Sequence, residues 1–102
     1  MIITGGENVY SVEVENVVAK HPAVAACAVI GIPDEQWGER VHAVVVLQPG
    51  ATVSLEELKD LSREHIAGYK IPRGMTIVDA LPISAAGKIL KRELRTQIHA
   101  TA

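Results

Sequence analysis

Two apolar runs rich in β-branched residues constrain the fold of this chain more than any other feature. They span 24–32 and 41–47, and turns at Pro33-Asp34 and Pro49-Gly50 close them. Runs of this length and composition are typical of buried strands. Apolar residues make up 48% of the 102 residues and aromatic residues only 3%, so we expect a core of Val, Ile, Leu and Ala. A chain of this length forms one domain with a modest core.

The N-terminal segment predicts a hairpin followed by a helix. Residues 1–10 read as two short strands around Gly5-Gly6, and Ser11 is the expected N-cap of the helix. His21-Pro22 should end that helix, because the residue before a proline avoids helical geometry. The expected buried face of the helix consists of Val14, Val17 and Val18.

The C-terminal half predicts two more helices and one strand. Ser54 and Glu57 have the spacing of a capping box, and Gly68 should end the helix that they open. A third strand is expected over 75–78. The inward-facing residues of the two helices are predicted to be Leu55, Leu58, Leu61 and Ile66, then Leu90, Leu94 and Ile98. Together these elements predict a single α+β domain over 1–102, with a small three-stranded sheet packed with helices and preceded by a short N-terminal β-hairpin.

Charge is distributed unevenly along the chain. The formal net charge is −2, but residues 1–69 hold four Lys/Arg against ten Asp/Glu, and residues 70–102 hold six against two. This asymmetry indicates a C-terminal third that faces an anion. With few aromatic residues between the basic ones, the pattern favours a phosphorylated small molecule over nucleic acid.

Several other classes of protein fit the sequence poorly. A single cysteine, Cys27, excludes an internal disulfide framework and fits a cytoplasmic protein, and its apolar neighbours predict a packed core thiol. The four histidines lack metal-ligand spacing, so we expect no metal site. No apolar run reaches membrane-spanning length and no signal peptide is predicted.

Lys88 is the main candidate functional residue. It follows Gly87 after a loop that begins at Leu81-Pro82, and the apolar and basic residues behind it predict the start of a helix. A lysine at such a junction can reach an anionic ligand, although a solvated surface lysine is the simpler local interpretation. A phosphate-binding P-loop is excluded because Pro82 replaces its first glycine and Ile89 its Ser/Thr.

Two further segments are candidates for binding. Gly5-Gly6 either supplies the positive φ angles of a hairpin or lets a thin ligand approach the backbone. The turn that holds Tyr69, Lys70 and Arg73 is either an ordinary connection or a place where a purine stacks and phosphates pair.

Trp37 also lies in a polar turn, over 33–39. As the only tryptophan, it is either a lid over the sheet or a ligand contact, and local sequence does not separate the two.

Four segments in this order and spacing resemble the C-terminal domain of the adenylate-forming enzymes, which include the acyl-CoA synthetases, the adenylation domains of nonribosomal peptide synthetases, and the luciferases. The resemblance covers essentially the whole chain, and the Gly-Gly-Glu-Asn form is similar to the acyl-CoA ligase branch. The segments are Thr4-Gly5-Gly6-Glu7-Asn8-Val9-Tyr10 with Glu13-Val14-Glu15, Pro33-Asp34-Glu35-Gln36-Trp37-Gly38-Glu39, Gly68-Tyr69-Lys70-Ile71-Pro72, and Leu81-Pro82 through Gly87-Lys88-Ile89.

The resemblance implies a reaction in two steps. A carboxylic or fatty acid attacks ATP to give an acyl-adenylate and pyrophosphate, and the CoA thiol then displaces AMP. Lys88, after Gly87, matches the family's adenylation lysine. The domain then rotates and presents its opposite face, where Gly5 and Gly6, followed by Glu7, match the lining of the pantetheine channel.

The CoA nucleotide is implied to meet Tyr69, Lys70 and Arg73, with Trp37 near that face. Some relatives carry a cation where this chain has Ile71. Relatives usually carry a proline after the aromatic residue that corresponds to Tyr10, and this chain has Ser11 there.

The family places its ATP loop and acyl pocket in a large N-terminal domain, which would also provide the Mg²⁺ site. We therefore expect this chain to be a mobile C-terminal domain that is inactive alone, with that large domain, ATP or acyl-adenylate, and CoA as its partners. Two alternatives are a fragment of a peptide-synthetase adenylation domain, whose acceptor is a carrier protein, and a stand-alone module that binds a nucleotide or a separate large subunit.

Overall fold

A mixed five-stranded sheet forms the centre of the molecule in the computed structural model, which describes residues 2–101 and the side chains of residues 2–98. The strands are β1 (Ile2–Thr4), β2 (Glu7–Val9), β3 (Val24–Asp34), β4 (Gly38–Leu47) and β5 (Gly74–Ile77). The helices are α1 (Ser11–Val18), α2 (Leu55–Arg63) and α3 (Lys91–Thr101), with a 3₁₀ turn at Gly68–Lys70. The predicted α+β class is confirmed. Met1, the predicted first residue of the hairpin, and Ala102 lie outside the described residues.

The two apolar runs form the antiparallel pair β3–β4, as predicted. Their register runs from Val24 opposite Leu47 to Asp34 opposite Gly38. The pair is longer than predicted, because β3 continues through Pro33 and β4 begins at Gly38. Pro33 is tolerated because β3 has only β4 as a neighbour, and an edge strand has one side without ladder hydrogen bonds.

The other edge of β4 pairs with two separate segments. β5 runs parallel to β4 along His42–Val45, and Thr4 of β1 pairs with Gly38. The predicted hairpin β1–β2 is therefore confirmed, and this bridge makes it part of the sheet. β5 lies one residue earlier than the predicted strand over 75–78.

Helices cover both faces of the sheet, because alternate residues of β3 and β4 point to opposite sides. On one face α1 and α2 pack over a core that includes Val14, Val18, Val29, Val45 and Leu58. On the other face Leu94 and Ile98 of α3, with Leu81, pack against Ala28, Ile30, Ile32 and Val44. None of the helices in residues 2–101 is long and apolar enough to cross a membrane.

The observed helix ends confirm one of the local sequence predictions and correct the others. The capping box is confirmed, since Ser54 Oγ accepts a hydrogen bond from the Glu57 amide at 3.1 Å. The predicted N-cap at Ser11 is wrong by one residue: Tyr10 precedes the helix, and Ser11 Oγ bonds a distant lysine instead. The predicted end of α2 at Gly68 is also wrong, because the helix ends at Arg63. α1 likewise ends at Val18, before His21-Pro22.

Candidate functional site

The turn of the hairpin consists of Gly5 and Gly6. Both have positive φ, 57° and 80°, and Thr4 pairs with Glu7 across them. A two-residue turn with two positive φ angles favours glycine at both positions. An ideal Cβ on Gly5 would lie 3.1 Å from Trp37 Cε3, whereas one on Gly6 would meet nothing within 4 Å. Gly5 is thus restricted by close packing as well as by its backbone, and Gly6 opens to solvent.

Trp37 lies between this turn and a cation. The Gly5 amide donates to the Trp37 carbonyl at 2.8 Å, and the Arg73 guanidinium lies 4.3 Å from the centre of the indole ring. The amide of Trp37 donates to Asp34 Oδ1, which helps to lower the pKa of that carboxyl group. We call the surface formed by Gly5, Gly6, Trp37 and Arg73 the glycine–tryptophan face. Trp37 therefore contacts two of the other predicted CoA residues, Gly5 and Arg73.

Tyr69 and Lys70 lie on the neighbouring 3₁₀ turn. Tyr69 is 38% exposed, and Lys70 Nζ lies 5.6 Å from the centre of its ring. Lys70 also pairs with Glu13 Oε1 at 2.7 Å, and this hydrogen bond raises the pKa of Lys70. Lys70 thus connects the turn to α1, while the Tyr69 ring remains accessible.

A surface pocket of about 260 Å³ lies beside Arg73. Gly68, Ile71 and Pro72 form part of its wall, and two further cations come from α2, Lys59 and Arg63. Sequence reasoning missed these two residues. Their spacing of four residues on a helix places them on one side and was the available signal. Arg63 also pairs with Asp60.

Lys88 lies on a separate small hairpin. Ile83 and Ile89 form an antiparallel bridge, and the Ser84 amide donates to the Lys88 carbonyl at 2.8 Å. The Lys88 amide donates to Ser84 Oγ at 3.2 Å. Gly87 before it has φ of 83°, which favours glycine. We call residues 83–89 the lysine hairpin. The predicted loop–helix junction is corrected, because α3 begins only at Lys91.

The side chain of Lys88 is exposed. Within residues 2–98 no carboxylate lies within ion-pair distance of its ammonium group, and no hydrogen bond or ion pair joins the lysine hairpin to the glycine–tryptophan face. Trp37 therefore contacts Gly5 and Arg73, whereas no hydrogen bond or ion pair links the lysine hairpin to them in the described part of the chain.

Cys27 is half-buried rather than fully packed. Burial, followed by the nearby Glu15 carboxylate, raises the pKa of its thiol to about 11. The thiol donates to the Glu15 carbonyl at 3.5 Å. It therefore stays protonated at neutral pH, which does not fit a nucleophile.

Metal binding has no geometric support in the described part of the chain. No group of three His, Cys, Asp or Glu residues there is arranged to hold an ion. The described residues therefore offer no such cluster of side chains to Mg²⁺. The His99 side chain, one of the four considered from the sequence, lies outside the described residues.

Comparison with known proteins identifies the family. A family model described as the AMP-binding enzyme C-terminal domain matches residues 13–88. The chain therefore belongs to this family, and the resemblance seen in the sequence is confirmed.

Curated relatives match nearly the whole chain. A feruloyl-CoA synthase of Amycolatopsis sp. is 50% identical over 93% of the chain, and a 4-chlorobenzoate–CoA ligase of Pseudomonas sp. (strain CBS-3) is 48% identical over 100% of it. A fatty acid–[acyl-carrier-protein] ligase, ScoC, of Streptomyces coeruleorubidus is 47% identical over 92%. The chain spans about a fifth of the length of these relatives.

Part of a solved fatty acyl CoA synthetase of Mycobacterium tuberculosis has the same fold as this chain. It superposes with a TM-score of 0.91 at 42% identity over 99% of the chain and 20% of that structure.

Proposed function

We propose that this chain acts as the mobile C-terminal domain of an ATP-dependent acyl-CoA synthetase, which converts a carboxylic or fatty acid to its CoA thioester. The supporting observation is the presence of two candidate sites that share no hydrogen bond or ion pair among the described residues. One is an exposed cation on the lysine hairpin, and the other is the glycine–tryptophan face with a cationic pocket beside it. One chemical step is assigned to each. In this proposal the large N-terminal domain provides the ATP and acyl sites, and the chain alone is inactive.

Lys88 is assigned to the first step. When the carboxylate attacks the α-phosphate of ATP, negative charge accumulates on the phosphate oxygens, and a positioned cation stabilises that charge. An exposed lysine on a hydrogen-bonded hairpin fits this role, because the backbone fixes the direction of the side chain while the ammonium group is free to meet a ligand.

The glycine–tryptophan face is assigned to the second step. Side chains at Gly5 or Gly6 would narrow any channel along the hairpin turn, and the aromatic rings of Trp37 and Tyr69 offer surfaces for a purine to stack on. Glu7, on β2 directly after the turn, is exposed and completes the motif. Lys70, paired with Glu13, is assigned to holding the Tyr69 turn in place.

The cationic pocket favours free CoA over a carrier protein as the thiol acceptor. Lys59, Arg63 and Arg73 surround a space of about 260 Å³, and clustered cations bind phosphate groups well. CoA brings a phosphorylated nucleotide, whereas the pantetheine arm of a carrier protein has a single phosphodiester. The carrier protein remains the second candidate because ScoC, 47% identical, is a carrier-protein ligase.

The proposed reaction takes place in the cytoplasm, with Mg²⁺ held outside this chain. ATP and CoA are cytoplasmic substrates, and a reduced Cys27 fits that compartment. Any Mg²⁺ that accompanies ATP would be held by the large domain.

The test is an assay of the full-length protein that contains this chain. It is incubated with ATP, a panel of aromatic and aliphatic carboxylic acids, and either CoA or a phosphopantetheinylated carrier protein. Pyrophosphate release and thioester formation are measured separately. We expect at least one acid to give both products with CoA, and this chain alone to give neither. Failure of every acid to release pyrophosphate would contradict the proposal, and thioester formed only on the carrier protein would favour the second candidate.

A further inference from the structure

A half-buried polar cluster lies at the base of the lysine hairpin. Lys91, the first residue of α3, pairs with Glu15 Oε2 at 2.9 Å and donates to Ser11 Oγ at 2.8 Å. The same carboxylate oxygen accepts the Val29 amide at 2.8 Å. The side chains of Glu15 and Lys91 are 18% and 29% exposed. Three elements that are distant in sequence therefore meet at one carboxylate.

This cluster joins the two faces of the molecule. α1 packs on one face of the sheet and α3 on the other, and β3 is the edge strand between them. Val29 lies on that edge strand, and Glu15 satisfies its backbone amide. The Lys91–Glu15 pair therefore passes around the edge of β3 and links α1 to the start of α3.

Lys91 also lies close to Lys88 along the chain. The two residues are three positions apart, which limits the distance between their Cα atoms to about 11 Å even in extended chain. The Leu90 amide donates to the Pro82 carbonyl at 2.8 Å, so the two arms of the hairpin meet just before Lys91. Beyond that point, Ala85, Ala86, Gly87 and Lys88 are exposed. The cluster is thus the first charged anchor behind the exposed tip.

We propose that Lys91 is a positioning residue, which Glu15 and Ser11 hold so that the lysine hairpin presents Lys88 in one orientation. This inference rests on the proposed function, since it assigns the anchor to the adenylation step. Lys91 does not touch the substrate in this account, and it acts through Lys88. Catalysis by a positioned charge is sensitive to displacements of about 1 Å, which can lower the rate about 100-fold.

Two ion pairs made by residues of α1 can be compared. Glu13 pairs with Lys70 beside Tyr69, and Glu15 pairs with Lys91 behind Lys88. Two acidic residues of one helix thus hold the segments assigned to the two different steps. Loss of the Glu15 pair should therefore affect only the first step.

The test uses Lys91→Met, Lys91→Arg and Arg92→Met in the full-length protein. Methionine keeps most of the length of the side chain and removes the charge, arginine keeps the charge, and the neighbouring exposed Arg92 is the matched control. With Lys91→Met we expect kcat for pyrophosphate release to fall about 10- to 100-fold, with the KM for ATP and for the acid little changed. Thioester formation from supplied acyl-adenylate should be unchanged. Lys91→Arg should restore most of the loss, and Arg92→Met should resemble the unmodified protein.

Two outcomes of the kinetic test would overturn the proposal. Unchanged pyrophosphate release in Lys91→Met would show that the anchor does not matter for Lys88. An equal loss of both half-reactions, with a lowered Tm, would show a purely structural ion pair.

Glu15→Gln combined with Lys91→Met should lower the rate of pyrophosphate release no more than the more severe single variant does, because both changes remove the same contact.

Hydrogen exchange tests the anchor even if the proposed function fails. If the unmodified protein releases no pyrophosphate with any acid, the function fails, but the anchor still predicts faster exchange of hairpin amides in Lys91→Met. The amides of Ser84, Gly87 and Lys88 are hydrogen-bonded within the hairpin and report on it directly. Unchanged exchange at these amides, relative to Arg92→Met, would overturn the proposal independently of activity.

Discussion

The glycine–tryptophan face and the lysine hairpin are constructed in opposite ways. The face assembles from three separate segments, because the turn at Gly5, the turn at Trp37 and the residue Arg73 come together only in the folded chain. The hairpin consists of consecutive residues held by their own backbone hydrogen bonds. The face thus depends on the tertiary fold, whereas the hairpin is local and needs only an anchor at its base.

Under the proposed function, this difference determines how each region would meet its ligand. The face already contains an aromatic ring, a stacked guanidinium group and a neighbouring pocket with two more cations, so much of a binding surface is preformed. The hairpin offers one exposed ammonium group and no other polar side chain beyond Ser84. A lone exposed cation contributes little by itself in water. In the proposed adenylation step, the hairpin would therefore need a second surface that excludes water around Lys88.

Trp37→Ala should break the face and leave the hairpin intact. Removing the ring takes away the stacking partner of Arg73 and the contact with Gly5, so we expect the KM for CoA in the full-length protein to rise about tenfold. Pyrophosphate release without CoA should stay within about twofold of the unmodified rate, because Lys88 is unaffected.

Trp37→Phe is the matched control for this change. It keeps an aromatic surface under Arg73 and should retain most CoA affinity. A KM for CoA that is the same in Trp37→Ala and the unmodified protein would remove Trp37 from the site.

A double change in the pocket, Lys59→Gln with Arg63→Gln, should also weaken CoA binding, but less than Trp37→Ala does. We expect a rise in the KM for CoA of about fivefold, since exposed cations each contribute modestly to phosphate binding. The KM for pantetheine, which lacks the nucleotide, should not change. Lys20→Gln, an exposed lysine that does not line the pocket, is the control. An equal effect on CoA and pantetheine would exclude a phosphate site.

His42 should make the structure beneath the face sensitive to acid. It is buried opposite Gly74, its Nε2 lies 2.8 Å from Thr76 Oγ1, and burial, with the nearby Arg40, lowers its pKa from 6.5. Below about pH 6.5 the unfolded chain binds a proton that the folded chain resists, so stability falls as the pH falls.

The measurement is the Tm of this chain between pH 7 and pH 5. His42→Gln should make that decrease smaller, and the exposed His65→Gln should not. An identical pH dependence in all three proteins would contradict the assignment. This is the smallest effect expected, because the substitution removes a single titratable group.

Local sequence signals predicted the elements but only some of their ends. The β-branched runs identify β3 and β4, and Ser54 with Glu57 identifies the start of α2, because both signals act over a few residues. Pro33 does not end β3, because an edge strand tolerates proline. The local sequence could not show that β3 lies at the edge, since that position depends on how the whole sheet assembles. Ser11 is not the cap because α1 begins at Ser11 and Tyr10 takes the N-cap position, and the Ser11 hydroxyl accepts from Lys91, a residue 80 positions away.

The residues of the candidate site also divide into those that local motifs predict and those that depend on tertiary contacts. Lys88 and the two glycines are found from motifs, whose spacing is visible in the sequence. The stacking of Arg73 on Trp37, the pairing of Lys70 with Glu13, and the pocket beside α2 depend on contacts between distant segments. The spacing of Lys59 and Arg63 places them on one side of a helix, but it does not show that Arg73 lies beside them.

The most direct test of the central claim, that the two regions serve different chemical steps, compares Lys88→Ala with Gly6→Leu in the full-length protein. Both half-reactions are measured for each variant: pyrophosphate release from ATP and the acid, and thioester formation from supplied acyl-adenylate and CoA. Because Lys88 would stabilise only the charge that develops in the first step, Lys88→Ala should lose about 100- to 1,000-fold in the first assay and little in the second. Gly6→Leu, which adds a side chain at an open turn position, should show the reverse. Equal losses in both assays for both variants would contradict the account.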